Sequence, residues 1–176
     1  MNILVLNASP RPNGNTKKLV HAFADGAETA RNMVRVLDIA KLRIADCRGC
    51  EYCHAGDNTD CIQRDDMKTV IALLKNSHML VLASPVYYHG VTGQMKCLID
   101  RMYPIMNKSR LPKLKSAAMI LCSVQPNVYD GAIYMFREEF EGLLNLENKG
   151  IFTACRSEIE QGEILNTVRR FGESLI

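Results

Sequence analysis

Closely spaced cysteines carry the most specific chemical signal in the chain. Cys47, Cys50 and Cys53 are each separated by two residues, and Cys61 follows shortly after them. Such spacing lets one loop wrap several thiolates around a soft metal centre, and three cysteines in succession before a more distant one is the rhythm of ferredoxin-type ligation. We therefore favour a [4Fe-4S] cluster with these four cysteines as its ligands.

Other states of this cysteine loop stay open. Four thiolates also suit the tetrahedral preference of zinc, although zinc motifs usually show two separated cysteine pairs. The thiols can instead stay reduced, or form reversible disulfides as in a redox sensor. The remaining cysteines, Cys97, Cys122 and Cys155, lie in helix or strand patterns and are expected to be small buried hydrophobic residues.

A second candidate site lies in the loop after the first apolar run. The segment from Asn7 to Thr16 reads N-A-S-P-R-P-N-G-N-T and joins a predicted strand to a predicted helix. Unpaired N–H groups at the start of a helix attract anions, and the polar side chains of the loop add donors. The loop therefore predicts a phosphate site. The alternative is that Asn13 or Asn15 only caps the helix.

Alternating strands and helices must position these two loops. Strands buried on both faces are predicted at Asn2 to Asn7, Met33 to Ile39, Met79 to Ala83, Ala117 to Cys122 and Ile151 to Cys155. Apolar stripes at helical spacing separate them, the fourth on Ile133, Phe136, Phe140 and Leu143. This alternation favours right-handed crossovers and a parallel sheet.

We predict an α/β fold of the flavodoxin-like kind. It is a three-layer α/β/α sandwich with a five-stranded parallel sheet in the order 2-1-3-4-5. In such a sheet ligands bind beyond the carboxyl ends of the strands, so the loops after strands one, three and four are the expected binding loops.

Length and composition limit the class of protein. A chain of 176 residues, 47% hydrophobic and 23% charged, fits a single domain over residues 1–176, with a Cys-rich loop insertion at about 41–64. A net charge of +3 does not indicate nucleic-acid binding, and no apolar run is long enough for a membrane span. We expect a cytoplasmic protein, in which clustered cysteines indicate metal or redox chemistry rather than a disulfide framework.

Two motifs together carry a family resemblance. The segment N-x-S-P-R-x-x-G-N-T in the first loop and the segment S-P-V-Y-Y-H-G after the third strand, followed by Ile99-Asp100-Arg101, resemble the NADPH-dependent FMN reductase family. Within it, the compact cysteine run is most similar to that of the iron–sulfur flavoproteins. The resemblance covers the chain from Asn2 to about Ser123, and the last third resembles the fold only.

The resemblance implies a set of cofactor contacts. The residues implied to hold the FMN phosphate are Ser9, Arg11, Asn13, Asn15 and Thr16. Those implied to line the flavin ring are Pro85, Val86, Tyr87 and Tyr88, with His89 and Gly90 nearby. A flat ring needs an apolar wall and a few backbone donors, which a tight loop at the end of a strand offers.

The loop after the fourth strand departs from the family pattern. Its glycine, Gly131, comes late in the loop, whereas the family often has glycines where the backbone approaches the flavin. Ser123 or Gln125 is then the expected donor to the pyrimidine edge of the ring.

These assignments predict an FMN-dependent oxidoreductase that takes hydride from NAD(P)H and needs no protein nucleophile. With a cluster it is an electron-transfer flavoprotein serving a small-molecule or protein partner. Without one it is an NAD(P)H-dependent FMN, quinone or nitroaromatic-type reductase. A zinc-stabilised flavodoxin-like binding module and a thiol redox sensor are the alternatives from other classes. The resemblance also implies a homodimer or a homotetramer.

Overall fold

A parallel sheet forms the centre of the computed structural model, which describes residues 1–56, 60–106 and 108–176. Its strands are β1 Asn2–Asn7, β2 Met33–Asp38, β3 Met79–Pro85, β4 Ser116–Ser123 and β5 Glu147–Cys155. The strands pair in the order β2-β1-β3-β4-β5, and every pairing is parallel. The predicted sheet and its strand order are confirmed.

Helices cover both faces of this sheet. They are α1 Asn15–Thr29, α2 Met67–Asn76, α3 Gly93–Arg101, α4 Asp130–Phe136, α5 Arg156–Gln161 and α6 Glu163–Glu173. Successive strand residues point to opposite faces, so Leu4 and Leu80 join a core with α2, α3 and α4. Ile3 and Val81 join the core that α1, α5 and α6 complete. This arrangement is the predicted three-layer sandwich.

Shorter helical segments complete the described chain. The 3₁₀ turns are Ile39–Lys41, Tyr52–His54, Tyr103–Ile105 and Lys108–Arg110, and Arg137–Leu143 is a π-helix. Among the described residues, none of the helices combines the length and the apolar character that crossing a membrane requires.

Strand β5 is longer than its apolar pattern predicts. It begins at Glu147 instead of Ile151, and its first residues are polar. Since β5 lies at the edge of the sheet, these residues meet solvent on one side and need no apolar side chains. A pattern of apolar residues therefore misses the start of an edge strand.

The predicted apolar stripe of the fourth helix is displaced at its end. Phe136 and Phe140 are buried as expected, but Leu143 is 58% exposed and Leu144 is buried in its place. The π-helix explains the shift, because its hydrogen bonds span one more residue per turn than those of an α-helix. The next inward position therefore falls one residue later.

The Cys-rich segment predicted at about 41–64 connects the 3₁₀ turn Ile39–Lys41 to α2. Residues 57–59 lie outside the described part of the chain. In the parts that are described, its regular structure is the single 3₁₀ turn Tyr52–His54. Side-chain contacts, and not backbone hydrogen bonding along a helix or strand, must therefore position most of this segment.

Candidate functional site

A cavity of about 530 Å³ lies at the carboxyl edge of the sheet. We call it the edge cavity, and its volume falls within the range of about 300–1,000 Å³ that is typical of small-molecule sites. The predicted contact residues that line it are Ser9, Arg11, Asn13, Asn15, Thr16, Pro85, Val86, Tyr87 and Ser123. The structure thus brings the loops after β1, β3 and β4 to one place.

The first loop leads into α1 without a side-chain cap. The N-cap is Gly14, which has no side chain, so neither Asn13 nor Asn15 occupies the capping position. The first N–H groups of α1 are therefore available to an anion. A Cβ on Gly14 would lie 3.0 Å from Cβ of Arg11 and 3.1 Å from Oγ of Ser9. The loop folds so closely around Gly14 that a larger side chain would occupy the space left for an anion. We call this space the cradle.

Hydroxyl groups form the inner wall of this cradle. Thr16 and Ser9 are buried, whereas Arg11 is exposed at the rim. The Ser9 hydroxyl accepts a hydrogen bond from the Arg11 amide at 3.4 Å, which leaves its own O–H to donate towards the cavity. The site therefore combines buried hydroxyl donors with an exposed cation at the rim.

A polar network under the loop holds its start in place. The buried Asn7 amide donates to Asp38 Oδ1 at 2.8 Å, and Asn7 Oδ1 accepts from the Ser9 amide at 3.2 Å. Lys17 and Lys41 pair with Asp38 at 3.3 and 3.1 Å. Burial raises the pKa of Asp38, but the hydrogen bonds from Asn7, Lys41 and Lys17 outweigh it and lower this pKa overall. The aspartate thus stays ionised and fixes the loop through Asn7.

The loop after β3 divides into a part inside the edge cavity and a part outside it. Pro85, Val86 and Tyr87 line the cavity, whereas Tyr88, His89 and Gly90 do not. Tyr87 and Gly90 exchange backbone hydrogen bonds of 2.9 and 3.0 Å, which closes a tight turn. Tyr88 and His89 occupy its central positions with φ of 49° and 64°, and both side chains are exposed.

Gly131 explains how this turn sits on the protein. A Cβ at Gly131 would lie 2.6 Å from the carbonyl oxygen of His89, so only glycine allows the turn to pack there. In the family pattern, a glycine lies where the backbone approaches the flavin ring. Gly131 instead makes room for the β3 loop at the start of α4.

Ser123 lines the edge cavity but already has partners. Its hydroxyl donates to the carbonyl oxygen of Gln125, and its oxygen lies 2.7 Å from the hydroxyl of Tyr129. Burial raises the pKa of Tyr129, so this phenol remains a neutral donor to Ser123. A direct hydrogen bond from Ser123 to a ligand would require this pair to rearrange.

The structure adds cavity residues that the sequence analysis did not select. They are Pro12, Gly14, Cys122, Val124, Arg156 and Glu160. Arg156 and Glu160 belong to α5, which follows β5 directly. The rule that ligands lie beyond strand ends also applies to β5, so extending it to the last strand would have found them.

Cys122 is buried as expected, but it also reaches the edge cavity. Burial raises the pKa of its thiol against an opposing hydrogen bond with Thr16, so the group is neutral where a phosphate would be placed. Cys155 is buried as well, whereas Cys97 on α3 is only partly buried, so the expectation of full burial was wrong for Cys97.

The four cysteines of the predicted metal site line one small pocket of about 20 Å³, which we call the Cys pocket. Cys47 and Cys50 are exposed, Cys61 is half-buried and Cys53 is buried. Burial and then the charges of the other three cysteines raise the pKa of Cys53, as expected for thiols that lie near one another. Within residues 1–56, 60–106 and 108–176, no group of three or more His, Cys, Asp or Glu side chains is arranged to hold a metal ion.

A buried ion pair supports the Cys pocket from below. Arg101, which also lines the pocket, forms two hydrogen bonds with the carboxylate of Asp65, at 2.7 and 2.9 Å. The sequence analysis does not identify this pair. Neither residue's spacing signals the pair, because their positions meet only after the chain has folded.

Comparison with known proteins agrees with this geometry. A model of the NADPH-dependent FMN reductase family matches residues 1–146. The chain belongs to this family. Its membership confirms the resemblance predicted from the two loop motifs.

Named relatives extend the comparison. An iron-sulfur flavoprotein of Archaeoglobus fulgidus is 41% identical over 103 residues, which cover 58% of this chain and 46% of the relative. An iron-sulfur flavoprotein of Methanocaldococcus jannaschii is 30% identical over 105 residues, covering 60% and 53%. The chain thus spans about half the length of the curated relatives that it matches.

A solved structure shows the same fold at low sequence identity. An NAD(P)H:quinone oxidoreductase from Methanothermobacter marburgensis superposes with a TM-score of 0.75 at 15% identity, covering 98% of this chain and 96% of that protein. At this identity the likeness supports the fold and leaves the activity to be argued from the site.

Proposed function

We propose that the edge cavity binds FMN and that the protein is an NAD(P)H-dependent flavin oxidoreductase. The observation that carries the proposal is the uncapped start of α1 at Gly14, inside a cavity of suitable volume at the carboxyl edge of the sheet. Family membership supports the choice of FMN over other phosphate-bearing ligands.

The phosphate is assigned to the first loop. Thr16 and Ser9 offer hydroxyl donors, the N–H groups of α1 add partial positive charge, and Arg11 can fold over the anion from the rim. Asn13 and Asn15 line the same wall and can donate through their side-chain amides. Arg156 also lines the cavity and adds a second cation, so phosphate binding combines short donors with two charged side chains.

The ring is assigned to the β3 side of the cavity. Pro85, Val86 and Tyr87 supply apolar surface, and the first of them ends a strand whose pairing fixes its position. Tyr88, His89 and Gly90 follow Tyr87 outside the cavity lining, and we assign them to contacts with a second ligand or with the exposed edge of the ring. Ser123 is assigned to positioning the β4 loop through Tyr129 and Gln125.

FMN, when bound, accepts hydride from NAD(P)H and passes electrons on one or two at a time. The protein contributes position, an apolar wall and charge stabilisation, and no side chain of the cavity has to act as a nucleophile. The final acceptor, a small molecule or a protein, is not specified by the cavity.

We further propose an iron–sulfur cluster at the Cys pocket. Four thiols line one pocket, and thiolate sulfur is the ligand that such clusters take. Three cysteines in succession followed by Cys61 favour a cluster over zinc, whose sites usually show two separated cysteine pairs. The names of the archaeal relatives support the same choice.

Anaerobic reconstitution tests both parts of the proposal. The protein is supplied with FMN, iron and sulfide, desalted, and analysed by visible spectroscopy and metal analysis before and after addition of NADPH or NADH. We expect flavin bands that bleach with the nucleotide, and about four irons per chain. Flavin without iron would leave a cluster-free reductase, and zinc would indicate the binding module. Failure to retain FMN would contradict the main proposal.

Matched cysteine variants identify the cluster ligands. Cys53→Ser should lower the iron content, because it removes a thiol that lines the Cys pocket. Cys97→Ser changes a thiol outside that pocket and should leave the iron content unchanged. Equal iron in both variants would exclude Cys53 as a ligand.

A further inference from the structure

Arg101 is the most deeply buried cation of the Cys pocket. Its side chain is 1% exposed at the end of α3, although the pocket that it lines opens to solvent beside Cys47 and Cys50. Burying a guanidinium is unfavourable unless its charge and its donors are matched, so the partners of Arg101 should indicate what it is placed there to do.

Three hydrogen bonds from Arg101 connect it to the two ends of the Cys-rich segment. Arg101 donates to the Ala45 carbonyl at 2.9 Å, just before Cys47, and to both oxygens of Asp65, which lies after Cys61. Asp65 in turn accepts from the amides of Ala45 and Met67 at 3.1 and 3.2 Å. The pair thus joins the entry and the exit of the segment that carries the cysteines.

One nitrogen of the Arg101 guanidinium lacks a partner. Its Nε is buried and has no hydrogen-bond partner among the described residues. Buried donors are almost always paired, so an unpaired one beside a group of thiols needs an explanation. Arg101 and Cys61 line the same small pocket, so the thiol of Cys61 is a neighbour of the guanidinium.

We propose that Arg101 is a positioning residue for the thiolates, and that its unpaired Nε–H is available to a sulfur atom of the Cys pocket. Asp65 holds the guanidinium in place through its other edge. This inference rests on the cluster part of the proposed function. A fixed cation and a hydrogen bond at a ligand sulfur stabilise the more negative, reduced state, so Arg101 would raise the reduction potential of a cluster in the Cys pocket.

A purely structural role makes a different prediction. If the ion pair only fastens the segment, removing either partner should have the same effect. If the charge of Arg101 acts on the thiolates, Asp65→Asn should leave the potential unchanged or raise it, because the cation remains. Replacing Arg101 should lower the potential.

The experiment compares reconstituted wild-type protein with four variants. Arg101→Gln combined with Asp65→Asn removes the cation without leaving a buried carboxylate unpaired, and Asp65→Asn keeps the cation. Arg101→Lys keeps the charge without the planar fork. Arg169→Gln, at an exposed pair with Asp25 outside the lining of the Cys pocket, is the control. FMN content reports on folding, iron and sulfide content on loading, and a redox titration on the cluster potential.

We expect the double variant to retain FMN and to shift the ratio of reduced to oxidised cluster at least about tenfold towards oxidised, about 59 mV for one electron. Arg101→Lys should restore part of the shift. Loss of iron in the double variant alone, with Asp65→Asn still loaded, also supports the proposal. Equal loss of iron in both, or an unchanged potential in the double variant, would overturn it and leave the cluster proposal intact. Wild-type protein that binds FMN but no iron would overturn both and leave the flavin function intact.

Discussion

The edge cavity measures about 530 Å³ and collects residues from the ends of β1, β3, β4 and β5. The Cys pocket measures about 20 Å³ and lies between one irregular segment and the end of α3. Strand pairing fixes the walls of the cavity. For example, the Val86 amide donates a hydrogen bond of 2.7 Å to the Cys122 carbonyl. The Cys pocket depends on the contacts of a few side chains.

The comparison shows two ways of building a site. A site on strand ends takes its shape from the backbone. Changing one side chain there should alter ligand affinity without abolishing the site. A site on an irregular segment needs long-range anchors, and here the Arg101–Asp65 pair is the anchor with the most hydrogen bonds.

The largest effect is expected where the Cys pocket loses its anchor. Arg101→Gln leaves the carboxylate of Asp65 in a mostly buried position without its cation, which should lower the free energy of unfolding by about 3 kcal/mol. Denaturant unfolding of the protein without cofactors measures this change. Lys96→Met breaks an exposed pair on the same helix and should cost less than about 1 kcal/mol. Similar losses in the two variants would show that the buried pair is no special anchor.

A smaller loss of stability is expected beside the edge cavity. Gly131→Ala places a Cβ 2.6 Å from the carbonyl of His89, so the Tyr87–Gly90 turn or α4 must move, at a cost of about 1–3 kcal/mol. Gly93→Ala meets no atom within 4 Å and is the control, expected to stay within about 0.5 kcal/mol. Thermal unfolding compares them. Unchanged stability of Gly131→Ala would mean that the turn does not rest on α4.

A larger residue at position 14 should change the affinity for FMN more than it changes the stability of the protein. Gly14→Val adds atoms where even a Cβ is 3.0 Å from Arg11, so we expect the Kd for FMN to rise at least about tenfold, about 1.4 kcal/mol. Gly93→Val, at the start of another helix with open space, should bind as the wild type does. Flavin fluorescence titration measures both constants. Equal affinities would remove the cradle at Gly14 from the site.

The smallest effect concerns pH. Hydrogen bonds from Asn7, Lys41 and Lys17 lower the folded-state pKa of Asp38, so its contribution to stability is complete above the unfolded value, about 3.9, and is lost as pH falls through the folded value. The unfolding free energy should therefore decline below about pH 4, and less steeply in Asp38→Asn. Asp25→Asn, at an exposed pair with Arg169, is the control. Urea unfolding from pH 6 to 3 measures how the unfolding free energy depends on pH. Identical slopes in the wild type and in Asp38→Asn would contradict the account.

The fold and the edge cavity could be predicted because their signals are local. Apolar runs such as Asn2–Asn7 specify strands, alternation with helices specifies a parallel sheet, and strand ends then specify the cavity. Arg156 was missed only because the last strand end was not considered. The shift from Leu143 to Leu144 was missed because a π-helix leaves no mark in a 3.6-residue pattern.

The cysteines of the Cys pocket could be predicted from the sequence, but the side-chain contacts that support the pocket could not. The spacing of Cys47, Cys50 and Cys53 identifies a thiol site, yet nothing near Arg101 in the sequence points to Asp65 or Ala45. Their hydrogen bonds join positions 36 and 56 residues apart. Pairing at such distances is a property of the folded chain, which a single sequence does not display.

Binding of FMN and of riboflavin to the protein without cofactors tests the central claim most directly. The two flavins share the ring and differ by the phosphate that the account assigns to the first loop and the start of α1. Calorimetric titration should give an FMN affinity at least about a hundredfold higher, about 2.8 kcal/mol. Equal affinities, or no binding of either flavin, would contradict the assignment of the edge cavity.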